Sequence, residues 1–181
     1  LGGVKYLVEG FEELEAGYLE KVYQRYHRIP WTIASTSRCV IRELCMKDMN
    51  ALYELYSDKS LTRYTEDLLG YEEETIYQRA YINNMYRYYG YGMWLVFSKD
   101  TGELIGRAGL EHRTLRKKVA VNEKVNGDPE EDMDVVIELG YLIKTKYQHQ
   151  GLAKEICQAI LNYAKEELEI EQLNCFIEEG N

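Results

Sequence analysis

Residues 138–161 read ELGYLIKTKYQHQGLAKEICQAIL and have the form of a strand, a short turn and a helix. Gly151 lies where the turn meets the helix, and its missing side chain lets a ligand approach the backbone. The N–H groups at the helix start and the helix dipole favour a phosphate group there, and Lys154 adds a cation in the first turn. Taken alone, the same pattern is more often an ordinary helix start in an α/β fold.

The helix of this unit is amphipathic. Its apolar stripe is formed by Leu152, Ile156, Ile160, Leu161, Ala164 and Leu168. Residues at these intervals share one face of a helix, so the stripe predicts that the helix packs against the rest of the fold.

The remaining sequence predicts further strands and helices around this unit. Strands are predicted at 38–44, at 135–143, at 173–177 and twice within 93–113, where a DTG turn joins them, and helices at 49–56 and 71–89. This order predicts the α/β (α+β) class, in which a mixed sheet carries helices on its faces.

The N-terminal part has a different pattern. Apolar residues at helical spacing predict an amphipathic helix at 11–27, and the segment PWTIASTS at 30–37 is typical of a linker. We therefore predict two parts, a helical extension or linker at 1–35 and a main domain at 36–181.

The composition is that of a globular protein with an acidic surface. The chain has 181 residues, with 22 Lys and Arg against 31 Asp and Glu, and a formal net charge of −9 at pH 7. This balance argues against nucleic-acid binding, which needs a concentrated basic face. No apolar run approaches the ~20 residues that span a bilayer, and no secretory signal is visible, so we expect a cytoplasmic protein without a membrane partner.

The cysteines and histidines do not form a metal-binding pattern. No two of the four cysteines form C-x-x-C, and the three histidines form no H-E-x-x-H. We therefore expect no metal site and four reduced thiols.

One acidic segment, residues 126–134, suggests a role in substrate attraction. Its carboxylates are Asp128, Glu130, Glu131, Asp132 and Asp134. Their field would attract a cationic substrate. The alternative is an ordinary solvated loop, because charge runs usually lie on the surface.

The spacing around Gly151 points to a known family. Residues 148–153, QHQGLA, have the form Q-x-x-G-x-A and resemble the acetyl-CoA-binding signature of the GNAT superfamily of N-acetyltransferases. The segments IASTSRCVIREL, GMWLVFSKDTGELIGRAGLEHR and IELGYLIKTKYQHQGLAKE resemble further parts of that family in the same order. The resemblance is closest to the branch of ribosomal-protein N-terminal acetyltransferases, and it covers about residues 37–181.

This resemblance implies a GNAT-like, mostly antiparallel sheet and an acetyl-CoA site. Strands 135–143 and 173–177 would splay apart and hold the pantetheine arm between them. The implied cofactor-binding residues are Leu142, Ile143, Lys144, Gln148, His149, Gln150, Gly151, Leu152, Ala153, Lys154 and Asn181.

The resemblance also implies roles in catalysis. The main-chain N–H of Ile143 would bond the thioester carbonyl as an oxyanion hole, and Glu138 would act as the general base toward the amine. The alternative is that Glu138 faces solvent or pairs with a cation, and Glu111 and His112 are then the next candidates. We also expect the family's general acid to lie in C-terminal elements that would follow residue 181.

The acceptor is expected to bind near the loop between the first two helices of the domain. Tyr64, Glu66 and Asp67 are the predicted lining residues, and the carboxylates favour a cationic amine. The predicted function is acetyl-CoA-dependent N-acetylation of a primary amine on a protein N-terminus, a polyamine or a small molecule. The alternative is a non-catalytic module of the same fold that binds an acyl-CoA or a partner protein, and a homodimer is compatible with either function.

Overall fold

A single sheet organises the computed structural model, which describes residues 16–116 and 133–177. All neighbouring strands in it are antiparallel, and they follow one another in chain order. The strands are β1 Thr32–Ser35, β2 Cys39–Arg42, β3 Met93–Ser98, β4 Leu104–Arg116 and β5 Met133–Ile143. The predicted α+β class with a mostly antiparallel sheet is confirmed.

Four α-helices flank the sheet within the described residues. They are α1 Ala16–His27, α2 Met49–Tyr56, α3 Tyr71–Tyr81 and α4 Leu152–Glu166. The helix predicted at 71–89 is continuous, because α3 passes into a π-helical segment at Ile82–Tyr89 that ends at Gly90 with φ of 75°. None of these helices is long and apolar enough to cross a lipid bilayer, as far as the described part of the chain is concerned.

The two faces of the sheet are covered by different helices. Trp94, on one face of β3, packs edge-to-face against Tyr163 of α4 with ring centroids 5.4 Å apart. Arg107 of β4 lies opposite Leu95 and donates a hydrogen bond to the Tyr56 hydroxyl of α2. Because side chains alternate along a strand, α2 and α4 lie on opposite faces.

The linker predicted at 30–37 is wrong in its secondary structure. Thr32–Ser35 forms β1, which pairs with β2 through Thr32 opposite Arg42 and Ser35 opposite Val40, with a bulge between Thr32 and Ala34. Ile33 is buried, so this short segment is part of the core. The domain boundary at 35/36 stays a prediction.

The strand predicted at 173–177 is also wrong in extent. Only Asn174 pairs with β5, in a parallel bridge opposite Glu138. Asn174 N–H donates to Ile137 O at 2.9 Å, and Leu139 N–H donates to Asn174 O at 2.8 Å. A strand needs a ladder of such bonds, and this segment makes a single bridge.

Candidate functional site

The outer edge of β5, which faces away from β4, has no strand partner beyond the bridge to Asn174 among the described residues. Glu138, Gly140 and Leu142 are directly opposite Glu111, Gly109 and Arg107 of β4. Backbone groups alternate between the two edges of a strand, and Leu139 N–H points to Asn174 on the outer edge. The N–H groups of Tyr141 and Ile143 therefore lie on that outer edge, where β5 has no strand partner among the described residues.

The unpaired edge leads directly into the turn before α4. Two residues of this turn have positive φ, His149 at 58° and Gly151 at 75°. A Cβ on Gly151 would meet only Arg38 Nη2, at 3.9 Å, so the space beside it is open. The first N–H groups of α4, from Leu152 on, have no acceptor within the helix, as at any helix start.

The two glutamines of the motif brace this turn. Gln148 Nε2 donates to the carbonyl of Ile143 at 2.9 Å, and Gln150 Nε2 donates to the carbonyl of Lys146 at 2.8 Å. Their side chains thus hold the backbone that links β5 to α4.

Glu103 binds the two lysines next to the turn. It accepts hydrogen bonds from Lys144 at 2.8 Å, from Lys146 at 2.7 Å and from the Tyr147 hydroxyl at 3.0 Å. The lysine hydrogen bonds lower the pKa of Glu103 to about 2. Lys144 also donates to Glu54 at 3.2 Å, so its ammonium group bridges two carboxylates.

An acidic side chain in the first turn of α4, Glu155, is also held by hydrogen-bond donors. Glu155 accepts hydrogen bonds from the Ser37 hydroxyl at 2.8 Å and from Arg38 Nε at 2.7 Å. Hydrogen bonds from Thr36 and Arg38 lower the pKa of Glu155 to about 2. A pocket of about 420 Å³ opens here, with Arg38 and Gln150 in its lining. The charged residues in the pocket lining are Arg38, Lys99 and Asp100.

The predicted base has a partner. Arg113 Nη1 donates to Glu138 Oε2 at 2.9 Å, and the same guanidinium lies 4.3 Å from the centre of the Phe176 ring. The structure therefore has the arrangement named above as an alternative, in which Glu138 pairs with a cation. The Glu138 side chain is 22% exposed and is directly opposite Glu111.

The other two base candidates lie on opposite faces of β4. Glu111 accepts a hydrogen bond from the Tyr81 hydroxyl at 3.0 Å. His112 is exposed, and its Nε2 is 2.7 Å from the Tyr91 hydroxyl. Glu111 shares its face with Glu138, whereas His112 points to the other face, so the structure brings together only the two carboxylates.

The predicted acceptor residues lie in the loop between α2 and α3. Glu66 and Asp67 are exposed, and Asp67 forms an ion pair with Lys59 at 2.8 Å. The side chain of Tyr64 lies outside the described part of the structure, as do Asn181 and residues 126–132 of the acidic segment. Burial raises the pKa of Tyr77, and the charges of Glu111 and Glu66 add to this effect. Tyr77 is thus within electrostatic range of Glu66 in the loop and of Glu111 in β4.

Two residues near this cleft were missed by the sequence analysis. Tyr81 donates to Glu111 and accepts a hydrogen bond from Met93 N–H at 2.7 Å. Arg107 is 8% exposed and is the fourth residue of β4. The signal for Arg107 was an arginine between apolar residues in LIGRAGL, where strand alternation predicts a buried face.

Comparison with known proteins identifies the family. Residues 38–181 match the family model described as the acetyltransferase (GNAT) domain. The chain belongs to the GNAT acetyltransferase family. This acetyltransferase is 27% identical over 139 residues to the uncharacterized N-acetyltransferase YnaD of Bacillus subtilis, a match that covers 77% of this chain and 69% of YnaD.

Solved structures share the fold of this acetyltransferase. A GNAT-family acetyltransferase from Bacillus anthracis aligns with a TM-score of 0.53 at 22% identity and covers 78% of this chain and 70% of its own. The ribosomal L7/L12 α-N-protein acetyltransferase RimL, in complex with coenzyme A, aligns with a TM-score of 0.58 at 18% identity, with 80% and 73% of the two chains covered. The enzyme is therefore an acyltransferase of a family that uses acyl-CoA.

Proposed function

We propose that this enzyme transfers the acetyl group of acetyl-CoA to a primary amine by direct attack in a ternary complex. The observation that carries the proposal is the outer edge of β5 at Tyr141 and Ile143, which has no strand partner among the described residues and continues into the open turn at Gly151. An extended amide-bearing arm can pair with such an edge, and a pyrophosphate can follow at the helix start.

The proposed cofactor contacts follow the chain from β5 to α4. The pantetheine arm would bond backbone groups of Leu142, Ile143 and Lys144, and Asn181 would add a side-chain contact. N–H groups along Gln148, His149, Gln150, Gly151, Leu152, Ala153 and Lys154 would hold the pyrophosphate. Acetyl-CoA supplies the activated acyl group as a thioester.

The proposed chemistry needs one hydrogen-bond donor and one base. Ile143 N–H would donate to the acyl carbonyl as charge develops on its oxygen. The amine must lose a proton before it attacks, since a lysine-type amine has a pKa near ~10.4 and an α-amine near ~8. Glu138 would accept that proton, directly or through water.

The reacting group of the acceptor is proposed to be an ammonium group in solution. Glu66 and Asp67 in the loop before α3, together with Tyr64, would line the entrance for the amine. Glu111 and Glu138, directly opposite each other, share one face of the sheet. The net charge of −9 supports attraction of an ammonium group from a distance. A protein N-terminus, a polyamine and an amino-bearing small molecule all meet this requirement.

Two measurements on the full chain test the proposal. Calorimetric titration with acetyl-CoA should give binding, and a thiol-release assay over a panel of amines should give turnover with at least one of them. Binding without thiol release from any amine would instead support a non-catalytic acyl-CoA module. No binding at all would contradict the cofactor site.

A further inference from the structure

Arg107 is a buried cation with almost none of its hydrogen-bonding capacity used. Its side chain is 8% exposed, and its single described hydrogen bond runs from Nη1 to the Tyr56 hydroxyl at 3.3 Å. Its Nε is buried without any partner. A guanidinium carries five N–H donors, and the hydrogen bond to Tyr56 uses one of them.

No counter-ion accompanies this guanidinium in the described part of the chain. Its other close neighbours are tyrosines, with the Tyr81 ring centroid 5.9 Å from Arg107 Cζ. Burial raises the pKa of Tyr81 and of Tyr86, so both phenols are neutral at physiological pH. Neutral hydroxyls cannot balance the charge, and a buried charge without a counter-ion is strongly unfavourable.

The position of Arg107 links it to the proposed reaction centre. It is directly opposite Leu142, which lies in the stretch of β5 proposed to hold the pantetheine arm. It shares its face of β4 with Glu111, about 13 Å further along the strand at ~3.3 Å per residue. The cation and the two carboxylates at Glu111 and Glu138 therefore line the same side of the sheet, beneath α2 and α3.

The path from the surface to Arg107 that the contacts outline passes Tyr77 and Tyr81. Tyr77 is 50% exposed, and its ring centroid is 6.0 Å from that of Tyr81. The charges of both Glu111 and Arg107 act on the Tyr77 phenol. Tyr81 contacts both residues, so it links the half-exposed Tyr77 to the buried guanidinium.

We propose that Arg107 forms an anion subsite in the acceptor cleft and that the acceptor is a primary amine that also carries a carboxylate. This inference rests on the proposed function. The carboxylate accepts hydrogen bonds from the guanidinium N–H groups that Tyr56 leaves unpaired, while the amine lies toward Glu138. Arg107 then determines specificity without taking part in proton transfer.

The test compares matched amines that differ only in the carboxylate. Thiol release by the full chain is measured with 4-aminobutyrate against 4-aminobutanamide, and with dipeptides that have a free or an amidated C-terminus. The wild type should prefer the carboxylate form by about 10- to 100-fold in kcat/KM, the range expected for hydrogen bonds to a charged group. The dipeptide arm distinguishes a peptide acceptor from a free amino acid.

Variants assign that preference to Arg107. Arg107→Gln should abolish it through a rise in KM for the carboxylate form, and Arg107→Lys should retain part of it. Arg79→Gln, which removes an exposed arginine of α3, should leave the preference intact. Arg107→Met should unfold at a temperature no lower than the wild type, because it removes an uncompensated buried charge.

Three outcomes would overturn the subsite. They are equal kcat/KM for both members of every pair, an unchanged preference in Arg107→Gln, or a large loss of thermal stability in Arg107→Met. If no amine supports thiol release, the proposed function fails separately. The subsite is then judged by whether 4-aminobutyrate raises the unfolding temperature of the wild type but not of Arg107→Gln, and the absence of that shift overturns it.

Discussion

Glu111 and Glu138 lie directly opposite each other across β4 and β5, and each carboxylate is bonded to a different partner. The Tyr81 hydroxyl donates to Glu111, and the Arg113 guanidinium donates to Glu138. Like charges at directly opposed positions repel, so these separate partners allow both carboxylates to remain on one face. The pair also offers a matched comparison for the search for the base.

Glu138→Gln should lower turnover by ~10²–10⁴-fold, the usual contribution of a general base, and leave acetyl-CoA affinity nearly unchanged. The loss should shrink as pH rises toward the pKa of the acceptor amine, because the amine then arrives neutral. Steady-state kinetics over a pH series and calorimetry measure both quantities. Glu111→Gln is the control and should lose much less activity. A larger loss in Glu111→Gln would transfer the role to Glu111, and full activity of Glu138→Gln would remove Glu138 from the mechanism.

Gly151→Ala should weaken acetyl-CoA binding by at least about tenfold while the protein still folds. The added methyl group would occupy the open space beside the helix start, and the left-handed backbone costs a non-glycine residue about 1 kcal/mol. Gly90→Ala is the matched control, because Gly90 has the same φ of 75° and lies at the end of the π-helical segment. Both variants should lose similar thermal stability, but only Gly151→Ala should lose affinity in calorimetry. Equal affinities in the two variants would show that the turn is not the cofactor site.

Glu103→Gln should make stability less sensitive to acid. The folded-state pKa of Glu103 is lowered to about 2 by its lysine partners, whereas an unfolded glutamate has a pKa near ~4.3. The stabilisation is therefore fully present above about pH 5 and is lost as pH falls toward 2. Thermal unfolding at pH 7, 5 and 3 should show a lower unfolding temperature for the variant at pH 7 and a clearly smaller difference from the wild type at pH 3. Glu171→Gln, at an exposed site, should follow the wild type throughout. A constant difference at all three pH values would contradict the assignment.

Glu43→Gln should destabilise the fold by about 3–5 kcal/mol, because it leaves the Arg25 guanidinium buried without its partner. Arg25 and Glu43 are 5% and 2% exposed, and Arg25 also donates to Tyr86 O at 2.9 Å. Urea denaturation measures the loss. Lys21→Met, which removes the exposed ion pair with Glu167, should cost under about 1 kcal/mol.

The double variant Arg25→Met/Glu43→Leu separates charge burial from packing. It should recover most of the stability lost in Glu43→Gln, since apolar side chains of similar volume often replace a buried ion pair at little cost. If Glu43→Gln costs no more than Lys21→Met, the pair does not anchor α1 to the sheet.

Elements defined by their own periodicity were predictable from the sequence. The apolar stripe of α4 predicted a helix, and Leu152–Glu166 is one. The DTG turn predicted the hairpin of β3 and β4, where Gly102 adopts φ of 69°. In both cases residues close in sequence make the decisive contacts, so the local pattern contains the information.

Elements that depend on a distant partner were not predictable. Thr32–Ser35 is too short and too close to Pro30 to stand out, and it forms a strand because β2 presents an edge to it. Residues 173–177 read as a strand, yet only Asn174 reaches β5. Pairing between strands, which decided both cases, is a property of the assembled sheet.

The sequence by itself determined the family, the glycine turn at residue 151 and the helix that follows it, because these depend on residue types at fixed short spacing. Only the tertiary structure decided which partner each charged residue has. It pairs Glu138 with Arg113 and Lys144 with Glu103, and it leaves Arg107 buried without a counter-ion in the described part of the chain. The reason is physical: the strength of a charge interaction depends on distance and burial, and both are set only when segments remote in sequence pack together.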